Sequence, residues 1–134
     1  MKLENKKMNN PRNGASVIIG NINHTRLMTA FKTLCGNNED RKGFVLAIAT
    51  TDNLGNGITE FASVSIGRPG KKFGRYAKNA AEKIERLFNR REEGKGEIAS
   101  SESADPQQNM FGGCVFFRSL VNGGVYISIS GGPA

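Results

Sequence analysis

The sequence predicts an α+β fold: an antiparallel sheet with helices packed on it, in the order β-α-β-β-α-β-β, as in a profilin-like sandwich. Three observations carry this. Residues 44–51, F-V-L-A-I-A-T-T, form an almost unbroken apolar run, β-branched near its end, as a central strand covered on both faces requires. Residues 58–66 alternate, with Ile58, Ala62, Val64 and Ile66 on one side and Thr59, Phe61, Ser63 and Ser65 on the other. Further on, Phe73, Tyr76, Ala77, Ala80, Ala81, Ile84, Leu87 and Phe88 recur at steps of three and four, the period of an amphipathic helix. Strands joined by short turns, with helices between the pairs, are satisfied by an antiparallel sheet with short connections.

The remaining elements follow in order. Residues 1–14 are polar, rich in Lys and Asn and broken by Pro11 and Gly14, which reads as a flexible basic arm ahead of a single domain over residues 15–134. Residues 15–19 are expected to form a short strand. Asn23 or Thr25 then caps a helix reaching Cys35, with Leu27, Met28, Phe31 and Leu34 inward, and Gly36 stops it. D-N-L-G-N-G turns the chain between the first two long strands. After the long helix, residues 94–109 lack a hydrophobic period and read as an exposed loop. A hairpin of residues 113–121 and 124–130 turns at Asn122-Gly123, with Val125, Ile127 and Ile129 toward the core.

With 134 residues, 37% of them hydrophobic, the chain can bury one compact core. A net charge of +7 favours association with anions: nucleotides, nucleic acid or acidic surfaces. No run approaches the roughly 20 apolar residues of a membrane span, and the N-terminus has no apolar signal core, so a cytoplasmic protein without a membrane partner is expected. Cys35 and Cys114 are isolated and read as free thiols. No histidine accompanies a serine or cysteine nucleophile and no acidic cluster has metal spacing, so binding is expected rather than catalysis.

V-L-A-I-A-T-T-D-N-L-G-N, the helix rich in Lys and Ala, F-G-G-C-V-F-F and N-G-G-V-Y-I-S-I-S-G-G occur in that order over residues 27–132. In these segments the chain resembles the GlcG/HbpS-like family, small α/β proteins that include haem-binding members. The resemblance implies a homo-oligomer and admits haem as a cofactor. His24, the sole histidine, is then the candidate iron ligand.

Two basic features nominate the site. The first is the glycine-rich loop G-R-P-G-K-K-F-G-R between the strand and the long helix. Glycines let a backbone approach an anion, and lysine and arginine add full charge. The loop is neither a Walker A sequence nor a dinucleotide G-x-G-x-x-G. Arg68, Gly70, Lys71, Lys72 and Arg75, with Tyr76 as a ring surface and Ser130 from the last strand, are the candidate ligand residues for a nucleotide or tetrapyrrole. The second feature is a row along the helix, at 100° per residue, of Lys72, Arg75, Asn79, Lys83, Arg86 and Arg90. Lys72, Arg75, Lys83, Arg86 and Arg90 are the candidates for the alternative, a nucleic-acid backbone.

Overall fold

The computed structural model describes residues 14–36, 42–52, 54–119 and 123–131. Two helices, α1 (Ala15–Gly20) and α2 (His24–Cys35), precede a hairpin of β1 (Gly43–Thr51) and β2 (Ile58–Gly67). A 3-10 turn at Gly70–Lys72 leads into α3 (Phe73–Glu92), after which come β3 (Cys114–Ser119) and β4 (Gly123–Ser130). The four strands form one antiparallel sheet in the order β2-β1-β4-β3. The fold is α+β with helices packed on the sheet, as the sequence predicts. Residues 1–13 of the arm expected over residues 1–14, and residues 120–122 of the expected last hairpin, lie outside the described residues.

One element differs in kind. Residues 15–19 are helix, not strand, so the order is α-α-β-β-α-β-β. Ala15, Ile18, Ile19 and Ile22 stand at helical spacing and pack together on Ile48, Ala62 and Val125. Ser16 fixes the helix to β2, its hydroxyl donating to Glu60 Oε2 at 2.6 Å and its amide to Oε1 at 3.3 Å. Tertiary burial of that stripe outweighs the strand preference of Val17, Ile18 and Ile19.

Every residue of β1 is buried because the sheet has helices on both faces. Val45, Ala47 and Ala49 meet Tyr76, Ala80, Ile84 and Leu87 of α3. Phe44, Leu46 and Ile48 point the other way, onto α2 and α1, with Phe31 and Phe44 stacked at 4.7 Å. Small side chains beneath α3 let the helix lie close, and Ser128 Oγ donates to the Ala80 carbonyl at 2.9 Å. Two expectations about facing change as a result. Tyr126, Ser128 and Ser130 are buried under α3, whereas Ile129 is 41% exposed beside β3. On α2, Asn23 caps by accepting the Arg26 amide, but Leu34 points to solvent and Cys35 packs inward.

The segment expected as an exposed loop is folded down on α3. It forms 3-10 turns at Ser100–Ser103 and Pro106–Gln108, and Ser100 is fully buried, its hydroxyl accepting the Cys114 amide at 3.0 Å. Glu102 Oε2 accepts the amides of Ile98 and Ala99, and Ile98 in turn accepts the Phe116 amide, which covers part of the outer edge of β3.

Candidate functional site

The glycine-rich turn begins where β2 ends. Gly67 has φ +72, and a side chain there would meet the Lys42 carbonyl and Met28. Its partner Gly43 has no room either, since a Cβ would stand 2.3 Å from the Arg68 nitrogen. This close passage lets the Arg68 amide donate to the Lys42 carbonyl at 2.8 Å. The chain then winds through Gly70–Lys72 into α3, whose start has no side-chain cap and no acid in its first turn. Tyr76 lays its ring on the backbone of Gly131, directly after Ser130. The turn, the start of α3 and the end of β4 therefore meet at one end of the sheet.

Arg68, Gly70, Lys71, Lys72 and Arg75 are exposed there. Tyr76 and Ser130 are buried, at 9% and 4% exposure, so they shape this end rather than face a ligand; Phe73, 46% exposed, is the ring open to solvent. Lys42 is exposed at the start of β1, beside Arg68, and joins the cluster. Sequence reasoning missed it, although pairing Gly43 with Gly67 in the hairpin would have found it. No acid occurs between Phe61 and Ala81, and Asp52 and Glu60 occupy the opposite end of the β1–β2 hairpin. The cations therefore have no opposite charge within the turn.

The basic row of α3 divides in two. Lys72 and Arg75 remain exposed, but Lys83 and Arg86 are buried. Lys83 donates to the Ile129 carbonyl at 2.6 Å, and burial lowers its pKa, with Arg86 adding to the effect. Arg86 Nη1 donates to both oxygens of Glu82 at 2.5 and 2.6 Å, while Nε donates to Ser103 Oγ at 2.9 Å and Nη2 to the Ser100 carbonyl at 3.1 Å and to the Phe111 carbonyl. Arg90 binds both oxygens of Glu97 at 2.6 and 2.5 Å, a pairing that raises the Arg90 pKa and lowers that of Glu97. The row is thus not a continuous solvent-facing strip. An open groove of about 370 Å³ does follow α3, but Glu82, Glu85 and Glu93 line it together with Arg86 and Arg90, whose charge is already engaged by Glu82 and Glu97, so among the described residues it holds no spare cation for an anion.

His24 is exposed on the first turn of α2, and the sheet lies between α2 and α3. Among the described residues no group of three His, Cys, Asp or Glu could hold a metal ion, and no helix is long and apolar enough to cross a membrane. Both cysteines are free, Cys35 half-buried and Cys114 buried. Burial pushes the Cys114 thiol up to about 12 from its ordinary 9.0. The unfolded thiol ionises first, so this group leaves stability level below pH 9.0 and erodes it as pH rises from there toward 12. The slope is at most about 1.4 kcal/mol per pH unit. Lys83, held below its usual 10.5, acts with opposite sign, adding stability as pH climbs toward that value. Urea unfolding at a series of alkaline pH values should show Cys114→Ala losing stability less steeply than the parent.

Comparison with protein-family models, with curated proteins and with solved structures finds no match to this chain.

Proposed function

We propose that the protein binds an anionic small molecule, a nucleotide or another ligand carrying phosphate or carboxylate groups, at the basic end of the sheet, without converting it. The observation that carries this reading is the segregation of charge. Lys42, Arg68, Lys71, Lys72 and Arg75 gather around a glycine-rich turn and the start of a 20-residue helix, facing solvent, while Lys83, Arg86 and Arg90 hold the fold together. Arginine can fork onto phosphate or carboxylate, lysine adds point charge, and the positive end of the α3 dipole favours the same sign of ligand. Phe73 offers a flat apolar surface beside them. The resemblance to GlcG/HbpS-like proteins adds tetrapyrrole carboxylates to the candidate ligands; His24 stands across the sheet from α3, so iron ligation forms no part of the proposal.

Calorimetric titration with a nucleoside triphosphate, and absorbance titration with haemin, test the reading. Arg68→Ala combined with Lys71→Ala should weaken the ligand that binds by about tenfold or more, as two charge-assisted contacts are lost. An unchanged affinity sinks the proposal. The alternative, a nucleic-acid backbone, draws support from the openness of the same cations. It predicts oligonucleotide binding that falls steeply with salt and involves Lys72 and Arg75 but not Arg86.

A further inference from the structure

The two edges of the sheet are treated differently. On β3 the chain covers its own edge, with Phe116 donating to the Ile98 carbonyl and Ala99 bridging Val115. On β2, no described residue bonds to the outer backbone, although this is the longest strand, ten residues of I-T-E-F-A-S-V-S-I-G. Edge strands are ordinarily guarded by lysine, proline, bulges or shortness. Within β2 there is no Lys, Arg or Pro, its register shift is confined to the N-terminal end, at Thr59, and its one charge, Glu60, is engaged by Ser16. Apolar side chains stand exposed around it: Ile58 and Phe61 on the strand itself, Val17 and Leu34 on the two helices packed on it.

We propose that β2 is a self-pairing edge: two copies join β2 to β2 in antiparallel register across a two-fold axis, fusing their four-stranded sheets into one of eight strands. Charge selects a second copy as the occupant. The basic cluster lies at the C-terminal end of β2, around Arg68, while Asp52 and Glu60 lie at its N-terminal end. Antiparallel pairing sets each basic end beside the partner's Glu60 and the partner's Asp52, and sends the two basic clusters to opposite extremes of the joined sheet. Parallel pairing would stack them together, at a cost for a chain of net charge +7. The uncharged middle of the strand, Phe61 to Ile66, then meets itself without like-charge conflict. None of this depends on which anion the protein binds.

Sedimentation velocity at micromolar concentration should give a particle of two chains. Ser63→Lys and Phe61→Lys, both at exposed positions of β2, should each return it to one chain with an unchanged circular dichroism spectrum. A one-chain parent, or a two-chain particle that survives both substitutions, overturns the proposal. Hydrogen exchange on the unmodified protein serves as a check that requires no variant to fold. In the dimer all backbone amides of β2 are protected and the outward set loses protection on dilution; rapid exchange of every second amide at all concentrations overturns it equally.

Discussion

Arg86→Ala should lower the unfolding free energy by about 3 kcal/mol, because it strands buried acceptors rather than deleting a surface charge. The guanidinium is 8% exposed and serves the Ser100 and Phe111 carbonyls, the Ser103 hydroxyl and the Glu82 carboxylate. Glu82, a third exposed, regains water when Arg86 is removed, so its contribution is the smaller part. The Ser100 carbonyl belongs to a fully buried residue and keeps only a long bond of 3.4 Å from the Ser103 hydroxyl, and the Phe111 carbonyl belongs to a half-buried one. The thermal midpoint should fall by roughly 10 °C for a domain of this size. Arg86→Lys should recover only part, since an ammonium cannot present the planar fork. Guanidinium denaturation followed by circular dichroism gives the number, and a loss below about 1 kcal/mol would show that the segment after α3 is held by other contacts. Limited proteolysis should cut the variant between residues 94 and 111 first.

Gly43→Ala is the second large effect, and it links stability to the site. A methyl at this position overlaps the Arg68 nitrogen at 2.3 Å and the Ile66 carbonyl at 2.6 Å, both backbone atoms that cannot rotate away. Relief requires the ends of β1 and β2 to part, at about 2 to 3 kcal/mol, the scale of overpacking in a core. Parting them breaks the Arg68 to Lys42 hydrogen bond that sets the start of the basic turn. The expected result is a lowered melting temperature together with weakened anion binding, even though no cation has been removed. Normal binding in a destabilised Gly43→Ala protein would show that the turn holds its shape without this contact.

The contrast between these two sites shows how far the candidate residues were legible. Arg68, Lys71, Lys72 and Arg75 could be read as exposed because they surround glycines and a proline at a strand-to-helix junction, where no apolar period draws them inward. Lys83 and Arg86 fall in the same helical row, yet are buried. The row lies on the flank of the apolar stripe rather than opposite it, at 100° per residue, and the segment from Glu97 to Phe111 folds over that flank. Nothing in the composition of that segment announces it, since its anchors are serines and backbone carbonyls supplied by the folded chain. Likewise A-S-V-I-I carries the side chains of a strand, and only its contacts with Ile48 and Val125 make it a helix.

By itself the sequence determined the α+β class, the hairpin of β1 and β2, the long amphipathic α3 and the glycine-rich basic turn, because hydrophobic period and turn chemistry are local properties of the chain. Tertiary structure alone decided which helix covers which face of the sheet, that Lys83, Arg86 and Arg90 of the basic row are spent on internal carbonyls and carboxylates, and that Lys42 joins Arg68 at the site. Burial and pairing depend on which distant segment arrives beside a residue, and that is fixed only when the whole chain has packed.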